Sequence, residues 1–393
     1  MLHICLVHKQ IIPNLIPIMM RWPHHVLLIC TQKTYRTGLS KRFAEILLQL
    51  GVPSTTFSSA PDSAFPQMFS YANKTHQRII KEYPDTGIVL NISGGGKLMA
   101  ITFLEAWRDK AHLIQYTNMD SNHLEYLPAS TELIIKPVKL DPVMNISLFL
   151  AAHGVTYISA ASDSTAWQKT CIQRKKLTQD LATHAAEISG MLRVINALSC
   201  RARDDIHKTL EHAQQRFSMH PNAAIQTWLQ RFEQQGLLIW DRQQTIKFTS
   251  YENAQYLGGF WLEEYIYSTI LTLNPDDISC GVIINWQAAP NIHNELDILV
   301  VHNNHLLVIE CKTLFLGTAK DNEIIYKLDS ISDELNGLLG STLLVSAQQP
   351  SSIIRQRAST QRIKVAGPED LKYIDFLIAK WMENQSFADP VPD

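Results

Sequence analysis

The chain is 393 residues long and 46% hydrophobic, and at roughly 150 residues per domain it has room for two or three domains, each able to bury a core. Its 35 basic and 37 acidic residues leave a net charge of -2, which excludes a chain-wide basic field for nucleic acid, so any such contact must be local. Six scattered cysteines without a C-x-x-C pair argue against a structural zinc or iron-sulfur centre and fit reduced thiols in a cytoplasmic protein.

The first residues lack a basic stretch leading to a small-residue cleavage site. Pro13 and Pro17 interrupt the apolar run over 11–20, so neither a signal peptide nor a membrane span is expected. Short apolar runs at 2–7, 25–30 and 86–92 read as buried strands. Residues 15–21, 40–50, 75–83 and 99–112 read as helices, with Phe43, Ile46, Leu47 and Leu50 on one side of the second. Further strands are predicted at 113–116 and 131–135. This alternation predicts a doubly wound α/β sheet over residues 1–145. Its most chemical stretch is Asn91-Ile92-Ser93-Gly94-Gly95-Gly96-Lys97-Leu98-Met99, which leaves a strand and enters a helix. Three glycines let backbone approach a ligand, and a helix start with Lys97 favours phosphate. The spacing before Gly-Lys and the residue after Lys are not those of a P-loop, and no G-x-G-x-x-G accompanies them.

Residues 146–250 read as a helical linker and a winged-helix-like region. Over 164–203, Leu177, Leu181, Ile188, Met191, Leu192 and Ile195 form an apolar stripe. Helices predicted at 204–215 and 222–235 and strands at 237–240 and 245–249 follow in the order of a winged helix. Interdomain packing is favoured over DNA binding, because the second helix offers only Gln230 and Arg231 near each other. The basic clusters Arg174-Lys175-Lys176 and Arg201-x-Arg203 read as solvated surface.

Residues 251–393 read as a second α/β domain. Gly258 and Gly259 precede a predicted helix, a strand is predicted at 278–286, and two β-rich runs then flank His302-Asn303-Asn304-His305. Asn tolerates left-handed backbone, so this reads as a hairpin; a two-residue turn at Asn303 and Asn304 sets Asp297 opposite Glu310 and Glu295 opposite Lys312. The other face pairs Leu296 with Cys311, Ile298 with Ile309 and Val300 with Leu307, and is apolar. Carboxylates directly opposed across a sheet repel. A divalent ion held by hard oxygens, magnesium or manganese, would offset that repulsion and activate a water against a phosphodiester, with Lys312 orienting the water or stabilising charge. A helix at 322–339 containing Tyr326 and Lys327, a strand at 341–347 and a helix at 368–383 complete the domain.

The run from Ser93 to Met99 after a strand resembles the N-x-[ST]-G-G-T-K-x-M signature of CARF domains, Rossmann-like sensors of cyclic oligoadenylates in type III CRISPR defence, with Gly96 where threonine is usual. The hairpin resembles the core of PD-(D/E)xK nucleases, whose fold is restriction-endonuclease-like. In this order the two resemble the CARF-nuclease effectors of the CRISPR ancillary nuclease family over nearly the whole chain. The resemblance implies that Ser93, Gly94, Gly95, Gly96 and Lys97, with Gln10, Asn14 and Thr31 from earlier loops, bind a cyclic oligoadenylate, cyclic tetra-adenylate being the expected activator. It implies that Asp297, Glu310, the backbone carbonyl of Cys311 and a helical acid hold Mg2+ or Mn2+. That acid is Glu263, in G-x-W-L-E, with Glu264 as the alternative. A large, roughly symmetric ring implies a homodimer about a two-fold axis, acting on DNA or RNA. Two other readings stay open: a ligand-responsive DNA-binding regulator with an inert C-terminal domain, and a constitutive repair or restriction-like nuclease.

Overall fold

The computed structural model describes residues 1–62, 64–127, 135–287, 289–313 and 339–387, together with Tyr326, Leu328 and Leu335. The chain divides into two compact units, Met1–Tyr157 with Asn285–Ile292, and Ile158–Ile284 with His293–Asp393.

In the first unit β1 (Leu2–Leu6), β2 (His25–Thr31), β3 (Ser54–Ala60), β4 (Ile88–Asn91), β5 (Leu113–Asn118), β6 (His123–Leu127) and β7 (Val138–Lys139) make one sheet ordered β3-β2-β1-β4-β5-β6-β7. The first five in that order pair in parallel and the last two antiparallel. Every residue of β1 and β4 is buried, the pattern of a parallel strand covered on both faces. The connecting helices are α1 (Ile12–Arg21), α2 (Gln32–Arg36), α3 (Leu39–Gln49), α4 (Phe65–Glu82), α5 (Lys97–Trp107) and α6 (Ile146–Ala152). Ile4, Leu6, Leu27, Leu90, Phe103 and Trp107 lie in one core. α1 and α4 both begin earlier than predicted, because Pro13 and Pro66 sit in their first turns, where a missing N–H costs nothing. The strand expected at 131–135 falls almost wholly outside the described residues. Strand order reverses between β1 and β4, which makes the cleft beyond their carboxyl ends the ligand position of an open α/β sheet.

In the second unit α7 (Thr165–Thr183) and α8 (Ser189–Ala202) share the predicted apolar stripe, interrupted by a turn. Leu177, Leu181, Met191, Leu192 and Ile195 join one core with Trp228, Trp240, Trp261 and Trp381, and Ile188 packs against it partly buried. β9 (Gln214–Arg216), β10 (Leu238–Trp240) and β11 (Thr245–Phe248) form a small sheet ordered β10-β11-β9, with α9 (Ala223–Gln234) between the first two in sequence. The helix predicted at 204–215 is not formed. Asp204 Oδ1 accepts the N–H groups of Ile206 and His207 at 2.8 and 3.2 Å, and Asp204 bridges to Thr209, local bonds that compete with a helix. The winged-helix expectation therefore loses its first helix.

The larger sheet is ordered β16-β15-β14-β13-β12-β8, from β8 (Val155–Ala160), β12 (Asp277–Trp286), β13 (Ala289–His302), β14 (His305–Lys312), β15 (Gly340–Ser346) and β16 (Ile363–Ala366). β13 and β14 are antiparallel, whereas β15 runs parallel to both β14 and β16. The helices here are α10 (Tyr251–Gln255), α11 (Trp261–Leu271), α12 (Ser352–Thr360) and α13 (Ile374–Asn384). The last begins later than the predicted 368, after a 3-10 turn at Leu371–Tyr373. Of the helix predicted at 322–339, only Tyr326, Leu328 and Leu335 belong to helical turns within the described residues; Lys327 lies outside them. No described helix is long and apolar enough to cross a membrane.

Candidate functional site

Asn303 and Asn304 take φ of 47° and 64°, the left-handed pair a two-residue hairpin turn requires. They set the register His302↔His305, Val301↔Leu306, Val300↔Leu307, Leu299↔Val308 and Ile298↔Ile309, as predicted for this length. In a continued ladder the Cys311 N–H would meet the backbone of Leu296; it donates instead to Asp297 Oδ2 at 2.7 Å. The ladder thus ends by fixing a carboxylate. Lys312 Nζ lies 2.6 Å from Glu310 Oε1 and 3.8 Å from Asp297 Oδ2. Burial works to lower the Lys312 pKa, but Asp297 and Glu310 more than offset it and hold the ammonium firmly protonated. Glu295 lies toward β12, its Oε1 3.8 Å from where a Cβ on Gly281 would stand.

The helical acid is brought in by an irregular turn. Tyr256–Phe260 is a π-helical turn, a feature frequent at functional sites, and Gly259 within it has φ of 143°. A Cβ on Gly259 would stand 2.5 Å from Thr313 Oγ1. Asn196 Nδ2 donates to Thr313 Oγ1 at 3.0 Å and also to the Gly258 carbonyl. Glycine therefore lets the start of α11 close on the chain just after Lys312. Glu263, in the first turn of α11, is buried. Burial, then Asp297 and Glu295, push its pKa well above the usual carboxylate range, with Lys312 opposing them. Its Oε2 meets no hydrogen-bond partner among the described residues. Glu264 is engaged elsewhere: Arg174 Nε donates to Glu264 Oε2 at 2.9 Å, a second guanidinium N–H donates to Oε1, and the guanidinium lies 4.0 Å over the Tyr256 ring. That pair leaves Glu263 as the acid beside Asp297. It also corrects the reading of Arg174 as solvated surface: Arg174 is buried, while Lys175 and Lys176 are exposed.

Glu263, Asp297 and Glu310 are hard oxygen donors, and an orphaned buried carboxylate oxygen among them suits a divalent cation. Among the described residues no group of three or more His, Cys, Asp or Glu is already arranged to hold a metal ion, and the Lys312 ammonium lies against two of the three acids. Cys311 has only backbone to offer, because its thiol is buried in the core and burial raises its pKa far out of range.

At the other site, the loop after β4 rests on β1. A Cβ on Gly94 would stand 2.0 Å from the Leu6 carbonyl oxygen and 2.3 Å from Asn14 Nδ2, so only glycine fits. Gly95 has φ of 79°, whereas a Cβ on Gly96 would meet nothing within 4 Å. Gly96 therefore faces open space, and Lys97, the first residue of α5, is exposed beside it. Ser93 Oγ donates to Asn91 Oδ1 at 2.5 Å and accepts the Thr117 N–H at 2.6 Å. Thr117 Oγ1 in turn donates to the Pro13 carbonyl at 2.6 Å, and Asn14 Nδ2 to the Leu6 carbonyl at 3.0 Å.

Residues 2–146 match the family model of the Card1 CARF domain, and residues 250–385 match that of the Card1-like endonuclease domain. The chain belongs to the CARF-domain CRISPR ancillary nucleases. Protein VC1899 from Vibrio cholerae has the same fold at 20% identity, with 98% of this chain and 99% of that one covered and a TM-score of 0.84. Can2 from Sulfobacillus thermosulfidooxidans, in complex with cyclic tetra-adenylate, superposes at 20% identity over 97% of each chain with a TM-score of 0.76. A type III CRISPR defence DNA nuclease activated by cyclic oligoadenylate matches at 15% identity, covering 90% of this chain and 47% of that one, with a TM-score of 0.52. No curated protein matches the chain.

Within the CARF domain, Gln10, Thr31 and the Gly94 to Lys97 loop all lie at carboxyl ends of strands, after β1, β2 and β4. Thr31 also caps α2, accepting the Thr34 N–H at 3.2 Å. Asn14 and Ser93 serve to build the loop, with Asn91, the first residue of the stretch singled out in sequence, and Thr117, which sequence reasoning passed over, as partners. Their signal was polar residues at the ends of buried strands. Near the hairpin site, Asn196 on α8 and Thr313 were missed because their contact joins residues 117 positions apart.

Proposed function

We propose that the chain hydrolyses phosphodiester bonds of DNA or RNA in its endonuclease domain, and does so when a cyclic oligoadenylate binds the loops of its CARF domain. The observation that carries this is the gathering of Glu263, Asp297, Glu310 and Lys312 at the end of one hairpin, on the same chain as a glycine loop built at the switch point of a CARF sheet. The complex of Can2 with cyclic tetra-adenylate makes that ring the first activator to test. Mg2+ or Mn2+ would be held by Glu263, Asp297, Glu310 and the Cys311 backbone carbonyl, and would lower the pKa of a bound water and neutralise the phosphate under attack. Lys312, kept protonated by its two acids, acts as a donor and positive charge toward water or phosphate oxygen, not as a base. Asp297 is kept aimed by the Cys311 N–H. Gly96, Lys97 and the start of α5 offer the ring a backbone surface with a positive field.

A roughly symmetric ring fits two CARF domains about a two-fold axis, and the exposed Leu98 and Ile101 beside the loop provide an apolar strip for that homodimer. Buried free thiols at Cys5, Cys30, Cys171, Cys280 and Cys311 suit the reducing cytoplasm. The missing helix at 204–215 counts against the DNA-binding regulator. The deciding experiment incubates labelled RNA and DNA with the protein, manganese and each cyclic oligoadenylate. Cleavage that needs metal and rises well above its basal rate when the ring is added is expected; unchanged cleavage after Glu310→Ala and Lys312→Ala would overturn the site.

A further inference from the structure

The tip of the β12–β13 ribbon makes a contact that the proposed chemistry does not use. Asn285–Ile292 belong to the first compact unit and His293 onward to the second, so β13 is one strand with its start in one unit and Asp297 in the other. At the tip, the Gln287 N–H donates to the Gly154 carbonyl at 3.0 Å, and Gln287 Oε1 accepts from Arg42 Nε at 3.1 Å. Gly154 has φ of 79°, and the guanidinium lies where a side chain would be: a Cβ at 154 would stand 2.3 Å from a terminal nitrogen of Arg42. Arg42, Gly154 and Gln287 thus form a three-way clasp. A cavity of about 230 Å³ lies beside it, lined by Arg42 and Gln287 together with Glu45, Gln49, Ser147 and Thr156.

The other end of the clasp leads to the ligand face. Arg42 sits in the first turn of α3, its N–H bonded to the Gly38 carbonyl at 2.9 Å. Gly38, with φ of 80°, joins α3 to α2, and α2 is capped by Thr31 at the carboxyl end of β2. The Arg42 guanidinium is partly desolvated, and burial, opposed by Glu45, lowers its pKa. Its bond to Gln287 goes to a neutral amide, so it fixes orientation and leaves the charge unpaired by that partner.

We infer that Arg42 and Gln287 are positioning residues that carry the ligand state of the CARF domain along β13 to Asp297, a role that rests on the proposed function. A strand is stiff along its axis, and Asp297 lies at the ladder end, where the Cys311 N–H donates to its Oδ2 and helps aim it. A shift of α3 displaces the tip, and a misplacement of about 1 Å at a reacting centre costs on the order of 100-fold in rate.

The test uses the full-length wild type, Arg42→Ala, Gln287→Leu and Gln287→Glu. For each, cyclic tetra-adenylate binding, melting midpoint and manganese-dependent cleavage with and without the ring are measured. Arg42→Ala and Gln287→Leu are expected to bind the ring and melt as wild type does, while the ratio of activated to basal cleavage falls about ten-fold, an ordinary coupling free energy. Gln287→Glu, which gives Arg42 a charged acceptor, keeps the ratio. Gln287 is exposed, so its variants report even where Arg42→Ala folds poorly. Wild-type ratios in Arg42→Ala and Gln287→Leu overturn the relay, as does a loss of ring binding that accounts for the whole effect. A wild type that ignores every ring overturns the proposed function first, and the relay with it.

Discussion

Two adjacent glutamates on α11 show how burial assigns opposite duties to one residue type. Glu264 has a bidentate arginine, and removing it strands a buried charge; Glu264→Ala is therefore expected to destabilise the protein by about 3–5 kcal/mol, read from urea unfolding. Glu263 has acids for neighbours. Glu263→Gln is expected to melt at or above wild type in EDTA, to lose most of the stabilisation that manganese gives wild type, and to cut cleavage by about 100-fold. A Glu263→Gln variant that melts well below wild type and still cleaves would sink this division. Asp297, Glu310 and Lys312 were legible in sequence because a hairpin fixes its own register within a few residues. The choice between Glu263 and Glu264 was not, because it is made by Arg174, 90 positions away. Arg174 itself was misread, since three basic residues in a row on a helix point in different directions and only one of them is buried.

At the scale of elements, the β1–β4 pair holds both the glycine loop and a buried histidine. Gly94→Ala sets a methyl against the Leu6 carbonyl and should cost about 1–3 kcal/mol and most of the ring binding, whereas Gly96→Ala should fold normally. Equal melting of the two variants would contradict the packing. His3 on β1 is buried, and that burial, with Arg21 and the amino terminus nearby, lowers its pKa to about 4 from an ordinary 6.5. The unfolded chain therefore binds a proton first as pH falls. The contribution is fully present above pH 6.5, is lost progressively down to about 4, and levels off below, amounting to on the order of 3 kcal/mol. Replacing His3 with Leu should flatten that part of the stability profile, and identical profiles would refute the assignment. Elements with dense apolar runs were legible, as β1, β2 and β4 show. β3 was not: of its seven residues only Phe57 and Ala60 are buried, because it lies at the sheet edge. The helix at 204–215 failed for the opposite reason, since Asp204 bonds locally before any helical bond can form.

At the scale of the whole molecule, the order of motifs carried more than any motif alone, because a glycine loop or two opposed acids recur by chance and their succession along one chain does not. The step beyond a single chain is assembly. Leu98 and Ile101 stand one turn apart on α5, 44% and 58% exposed, while Met99, Thr102 and Phe103 of the same helix are buried. Isolated exposed apolar residues are ordinary, but two on one face beside the proposed ring site place an apolar strip where a symmetric ligand would need a second copy. Ile101→Asp sets a charge in that strip and touches no residue of the loop. Wild type is expected to run at twice 44.6 kDa in light scattering and the variant at the monomer mass. Ring binding should weaken at least about ten-fold, because each protomer would then hold half a site. Basal cleavage in manganese, which the proposed function assigns to Glu263, Asp297 and Glu310, should change far less than ring binding. A variant that remains dimeric with wild-type activation would show that this strip is not the pairing surface, and a wild type that is monomeric with the ring bound would remove the two-fold arrangement altogether.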